Sequence, residues 1–200
     1  MERIDPKLGR VIVISGPSGV GKTSLCQQLL RRHASKLCFS ISATTRPMRD
    51  GEVDGRDYYF LSREEFEEQI RHGDFIEFAE SYDNYYGSYR RPLEEAVRAG
   101  QYYLMDIDVQ GAAQLQDRLK LIGVPASYFF IAPPSTDELL ARLTRRRTED
   151  RDALESRLAK VQFEMEQSDL YDAVIVNEDL ERSLAKLEAM LGLSSSSAQD

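Results

Sequence analysis

Long apolar runs are missing from this 200-residue chain; none approaches the roughly 20 residues of a membrane span. Its first residues carry no basic-then-apolar signal pattern either, so the expected address is the cytoplasm. Cysteine is scarce: Cys26 and Cys38 stand alone and read as buried reduced thiols rather than a disulfide or metal pair. Histidine is equally scarce, and His33 and His72, both in polar helix-end surroundings, read as surface residues. Cations are outnumbered, 26 Lys and Arg against 34 Asp and Glu. The net charge of −8 argues against a general affinity for nucleic acid, which needs a basic face. The cations are nevertheless grouped: Arg46 and Arg49 share one stretch, and Arg142, Arg145, Arg146, Arg147, Arg151 and Arg157 another. Concentrating positive charge locally against an acidic background suits a phosphate-bearing substrate.

Against these absences stands one dense motif. Val11 to Ile14 is a β-branched run that predicts a short buried strand, and an apolar-periodic helix begins near Thr23. Between them Gly16, Gly21, Lys22 and Thr23 complete G-x-x-x-x-G-K-[ST], with Pro17, Ser18, Gly19 and Val20 inside it. Glycines let successive backbone N–H groups turn inward on phosphate oxygens. Lys22 adds a mobile charge, Thr23 a hydroxyl for Mg²⁺, and the following helix the positive end of its dipole. The motif is a nucleotide phosphate site.

The rest of the chain alternates strand and helix, which predicts an α/β fold with a mostly parallel sheet flanked by helices. Strands are expected at Leu37–Ile41, Tyr58–Leu61, Phe75–Phe78, Tyr102–Met105, Ser127–Ile131 and Ala173–Val176. The stretch Ser42 to Asp57 has no period and reads as a long functional loop, while Ser81 to Ser88 reads as a tyrosine-rich turn. Capping boxes at Ser62–Glu65 and Ser135–Glu138 open helices, and further helices follow Pro92, Val109, Ala153 and Leu180. The serine-rich tail from Ser194 is expected to be disordered. The P-loop, Ser42, Asp106 and Pro133 all follow strand ends, where ligands collect in such sheets.

A P-loop alone does not choose among GTPases, motors and small-molecule kinases. Asp108-Val-Gln-Gly111 matches the D-x-x-G of GTPases, but Asn84 and Asn177 are the only asparagines and neither precedes lysine, so N-K-x-D is missing. Instead, Ser40 to Tyr58 (with Thr45-Arg-Pro-Met-Arg49) joins Phe75-Ile-Glu77, Asn84-Tyr-Tyr-Gly-Ser88, Leu104-Met-Asp-Ile-Asp108, Phe130 to Ser135 and Val174-Ile-Val-Asn177. Together these segments resemble guanylate kinase, in collinear order from about Gly9 to Leu191. The resemblance implies transfer of phosphate from MgATP to GMP, giving GDP and ADP, with dGMP as a further acceptor to test and the oligomeric state left open. It implies one domain: a core at about 9–41, 90–132 and 159–191, a GMP-binding insertion at about 42–89, and a helical lid at about 133–158.

Residue by residue, the resemblance gives the ATP side to Gly16–Thr23 and Asn177. It gives the GMP phosphate to Arg46, Arg49, Tyr58 and Tyr86, and the guanine to Ser42, Glu77, Ser88 and Asp108. Mg²⁺ falls to Thr23 and, through water, to Asp106. Lys22, Arg46 and the lid arginines Arg142, Arg146 and Arg157 carry the charge neutralisation. Two departures stand out: Arg147 where the family commonly has glycine, and Pro47 one place early, which bears on Arg49 more than on Arg46. Residue chemistry agrees with these roles, because two guanidiniums and two phenols suit a dianionic monophosphate. A carboxylate such as Glu77 accepts two parallel bonds from guanine N1–H and N2–H₂, which adenine cannot offer. Two readings compete: a related P-loop kinase with another small phosphorylated acceptor, against which Ser42, Glu77, Ser88 and Asp108 speak, and a phosphopeptide-binding relative of the same fold, against which the intact Lys22 and Thr23 speak.

Overall fold

The computed structural model describes residues 9–81, 83–135, 138, 139 and 151–193, the side chains of 151–158 excepted. The chain opens with β1 (Arg10–Ser15), α1 (Lys22–Arg32), β2 (Leu37–Phe39), β3 (Ala43–Thr44) and β4 (Tyr59–Phe60). There follow α2 (Arg63–His72), the strands β5 (Phe75–Ser81) and β6 (Asn84–Tyr89), and α3 (Arg90–Arg98). Next come β7 (Tyr102–Asp106), α4 (Val109–Ile122) and β8 (Ala126–Ala132). The last elements are α5 (Arg151–Glu166), a 3-10 turn, β9 (Ala173–Val176) and α6 (Leu180–Leu191). A five-stranded sheet runs in the order β2-β7-β1-β8-β9, and a four-stranded one in the order β4-β3-β6-β5. The β2–β7 and β8–β9 pairs are parallel, as alternation of strand and helix requires.

Two compact units divide the chain. The first joins the start of β1, up to Val13, to Lys36–Ser127 and contains the whole four-stranded sheet. In that sheet β5 and β6 are antiparallel with Glu77 opposite Ser88, β3 is antiparallel to β6, and β3 is parallel to β4. Its apolar side packs on α2 through Ala43, Phe66 and Phe75, with Tyr85 and Tyr89 against them. Phe66 stacks on Phe75 at 4.4 Å and on Tyr85 at 5.2 Å between ring centroids. The predicted capping box is formed: Ser62 Oγ accepts from Glu65 N–H at 3.2 Å, and the Glu65 carboxylate accepts from Ser62 N–H at 2.7 Å. From α4, Gln114 donates to the Phe78 carbonyl at 2.8 Å and Arg118 to the Phe75 and Ile76 carbonyls.

The second unit joins Ile14–Ser35 to the chain from Tyr128 onward. Here α1 lies against α6, and His33 Nε2 is 2.9 Å from a Glu188 carboxylate oxygen. Asp179 caps α6 by accepting from Arg182 N–H at 2.9 Å. Cys26, buried in this unit, and Cys38, half-buried in the first, are not joined in a disulfide.

Three expectations are corrected. Ser81–Ser88 is not a turn: from Asn84 it is β6, because tyrosines suit a pleated surface and here cover the α2 core. The long loop after Ser42 contains the two-residue strand β3, too short to announce itself by period. His33 is not a free surface residue but is half-buried beside Glu188. The Ser135 box begins as predicted, with Ser135 Oγ accepting from Glu138 N–H at 3.2 Å. Its continuation and the tail from Ser194 lie outside the described residues. Among the described residues, no helix is long and apolar enough to cross a membrane.

Candidate active site

The residues singled out by sequence fall into two sets, one in each unit. In the second unit, β1 ends at Ser15 and the chain turns through Gly16, Gly19 and Gly21 at φ 131°, 86° and 97°. Gly21 caps α1 in a left-handed conformation, and a Cβ there would stand 2.6 Å from Asn177 Nδ2. Only glycine meets both the torsion and the space. α1 has no acidic residue in its first turn and no side-chain cap, so its N-terminal N–H groups keep their pull on an anion. Lys22 folds over the loop, with Nζ donating to the Gly16 and Pro17 carbonyls at 2.6 and 3.0 Å. Asn177, at the end of β9, braces the turn by donating from Nδ2 to the Val20 carbonyl at 2.7 Å. Its Oδ1 is buried without a partner among the described residues. Ser18 and Thr23 are exposed.

In the first unit a carboxylate is buried where the two long strands pair. Glu77 is 3% exposed on β5, opposite the fully buried Ser88 on β6. Ser88 Oγ lies 3.3 Å from Ser42 Oγ, and Ser88 also hydrogen-bonds Glu77. Burial pushes the Glu77 carboxyl up to about 7; the Ser88 bonds oppose this, nearby Asp108 adds to it, and Arg118 pulls it back. Asp108 caps α4, accepting from Gly111 N–H at 2.8 Å. A Cβ on Gly111 would stand 2.4 Å from Glu77 Oε2, so the carboxylate packs directly on the backbone of that first helical turn. The guanine set proposed from sequence, Ser42, Glu77, Ser88 and Asp108, is thus brought together. Its chemistry is a carboxylate acceptor beside two hydroxyls.

The same unit gathers the phosphate set. Arg46 lies over the rings of Tyr58 and Phe60, with its guanidinium carbon 5.4 and 5.6 Å from their centroids. Tyr58 meets Tyr86 edge-on at 6.1 Å, and Tyr86 also hydrogen-bonds Arg46. Burial raises the Tyr58 phenol, helped by Asp106 and Tyr86 nearby, while Arg46 opposes it. The phenol therefore stays a proton donor at neutral pH. Arg46, Tyr58 and Tyr86 are in mutual contact, with Asp106 near Tyr58. Arg49 has an exposed side chain and is tied to Glu52 through both backbone groups: its N–H donates to Glu52 Oε2 at 2.7 Å and its carbonyl accepts from Glu52 N–H at 3.1 Å.

Two participants went unread in the sequence. Glu52 grips Arg46 with both oxygens, at 2.8 and 2.9 Å; the signal was a carboxylate between two glycines just after paired arginines. Arg118 is the cation behind Glu77, one helical turn past Gln114, and nothing in its local sequence marks it. Arg142 and Arg146 lie outside the described residues, as does the side chain of Arg157.

Comparison with known proteins gives a consistent result. A family model described as guanylate kinase matches residues 8–193. A guanylate kinase of Chlorobium luteolum is 45% identical over 175 residues, 88% of this chain and 87% of that one. Another, of Parasynechococcus marenigrum, is 42% identical over 186 residues, covering 93% and 100%. The crystal structure of guanylate kinase from Anaplasma phagocytophilum superposes with a TM-score of 0.74 at 35% identity, covering 93% of this chain and 86% of that one.

Proposed function

This chain belongs to the guanylate kinase family, and from that premise we propose that it transfers the γ-phosphate of MgATP to GMP, giving GDP and ADP. The observation that carries the reading is the buried Glu77 with Ser88 and Ser42 beside it. A desolvated carboxylate is costly unless a ligand supplies paired donors, and guanine supplies N1–H and N2–H₂ side by side. Adenine would set an unprotonated N1 against it. The two hydroxyls, at 3.3 Å from each other, suit donation to guanine O6, and Asp108 completes the base set.

Arg46, Tyr58 and Tyr86 hold the acceptor phosphate, with Arg49 nearby along the loop; their donors are charge-assisted or phenolic and match a dianion. Gly16 to Thr23 receive the donor phosphates on backbone N–H groups, and Asn177 keeps that turn in shape. Lys22 changes partner, leaving its loop carbonyls for the donor phosphates. The metal donors fit a hard cation: Thr23 offers a hydroxyl and Asp106 a carboxylate, which with phosphate oxygens and water is the oxygen set magnesium takes. No cluster of three or more His, Cys, Asp or Glu that could cage a metal exists among the described residues. When bound, the cation supplies charge neutralisation at the donor phosphates. Phosphoryl transfer needs no side-chain nucleophile, because the acceptor phosphate oxygen attacks in line and the protein positions and neutralises. By their place in the family's lid, Arg142, Arg146 and Arg157 share that neutralisation. The reading places the work in the cytoplasm.

The test is a coupled ADP-release assay on GMP, dGMP, AMP, CMP and UMP. GMP is the expected preferred acceptor, and failure to turn it over would sink the proposal.

A further inference from the structure

We propose that Glu52 is a positioning residue of the acceptor-phosphate subsite, orienting the Arg46 guanidinium and fixing the backbone that leads to Arg49. The inference deepens the functional reading above and rests on it.

Donor arithmetic supplies the first argument. A guanidinium has five N–H groups. Arg46 Nη1 gives its two to the Pro47 carbonyl at 2.7 Å and to Glu52 Oε2 at 2.9 Å, and Nη2 gives one to Glu52 Oε1 at 2.8 Å. What remains for the Tyr86 hydroxyl and for an anion is Nε–H and one Nη2 hydrogen, so Glu52 decides which edge of Arg46 an anion can meet. The rings of Tyr58 and Phe60 restrict the plane of the same group.

The second argument is that one carboxylate governs both arginine positions. Besides gripping Arg46, Glu52 Oε2 accepts from Arg49 N–H at 2.7 Å, while Glu52 N–H donates to the Arg49 carbonyl at 3.1 Å. The pair is mostly out of water, at 11% exposure for the Arg46 side chain and 20% for Glu52. Arg46 holds the Glu52 carboxyl down to about 2, so the pair is ionised throughout the working range of pH.

Charge alone makes Glu52 a poor neighbour for a phosphate dianion, since it offsets the attraction of Arg46. Its presence makes sense if an arginine held in one orientation binds the phosphate better than a freely rotating one. A plain loop staple is the alternative, and the two readings part company over ligands that lack a phosphate.

The experiment measures affinity for GMP and for guanosine by calorimetry, in the wild-type chain, Glu52→Gln, Arg46→Ala and the double variant. Glu52→Gln is expected to weaken GMP on the order of tenfold to a hundredfold, as misplaced binding groups do, while guanosine affinity stays within about twofold. In the Arg46→Ala background the same change is expected to cost nothing further, because its effect runs through that arginine. Unchanged GMP affinity, an equal loss of guanosine, or full additivity with Arg46→Ala would each overturn the inference. If Arg46→Ala by itself leaves GMP affinity untouched, the phosphate-subsite reading has failed, and Glu52 with it. Glu52→Asp keeps the charge but shortens the reach to both nitrogens. It supplies the same comparison should Glu52→Gln not fold.

Discussion

The two units present their ligands with different materials. In the second unit the proposed phosphate cradle is made mostly of main chain: three glycines at positive φ and the first N–H groups of α1, with Lys22 folded over the turn and Asn177 bracing it. In the first unit the proposed GMP set is almost all side chain, drawn from Ser42 to Asp108, with the side chains of Glu52 and Arg118 against its members. A main-chain site is damaged by adding atoms and tolerates their removal. A side-chain site is damaged by removal.

That contrast can be broken or sharpened by substitution. The largest effect is expected at the side chain folded over the main-chain cradle: Lys22→Met should lower kcat by about a thousandfold or more, with GMP affinity nearly unchanged. GMP phosphorylation at the wild-type rate would remove the cradle from the mechanism. Next, Glu77→Gln is expected to erode the GMP-over-AMP ratio of kcat/KM by about a hundredfold, since it takes the charged acceptor from a site built around it. An unchanged ratio would mean that guanine is read elsewhere. A methyl added to the cradle tests the opposite sensitivity. Gly21→Ala meets both φ 97° and Asn177, and should cost on the order of tenfold to a hundredfold in kcat/KM for ATP while GMP binding holds.

A smaller and graded effect should follow pH. Glu77 titrates at about 7 in the folded chain against an ordinary 4.5, so between these values the folded state holds a proton that the unfolded state has released. Its contribution to stability is therefore complete below about 4.5 and is lost as pH rises through about 7. Guanine recognition runs the other way, because the paired donors need the carboxylate. Guanosine, which has no phosphate to titrate, should bind more tightly as pH rises through about 7, and Glu77→Gln should flatten that profile. A flat wild-type profile would show that the base does not meet this carboxyl. The smallest effect is expected from removing an exposed cradle side chain: Ser18→Ala should change stability by no more than about 0.5 kcal/mol and leave turnover near wild type.

The same contrast explains what could be read before any coordinates. A main-chain cradle needs fixed residue types at consecutive positions, so Gly16 to Thr23 announced itself, together with the strand before and the helix after. Helix starts were equally readable where caps are local, as at Ser62 and Ser135. A side-chain site has no such contiguity. Glu77 taken alone is one glutamate in a strand, and it gained a role only when Ser42, Ser88 and Asp108 matched the family spacing. Glu52 escaped because its partners lie across an aperiodic loop, and Arg118 because its partners are carbonyls of a strand more than forty residues away. Of the second sheet, β4 and β5 were expected as strands; β3 escaped because it is two residues long, and β6 because Tyr85 and Tyr86 sit among Asn, Gly and Ser that mimic a turn.

The stitches from α4 to β5 carry a last consequence. Gln114 and Arg118 fasten the helix that presents Asp108 to the backbone of the strand that presents Glu77. On the proposed reading, the groups that would meet the base are thereby preorganised, and the conformational entropy of arranging them is lost during folding rather than during binding. In calorimetric terms, loosening Arg118 should appear first as a more unfavourable entropy of guanosine binding, before any contact to the base is lost.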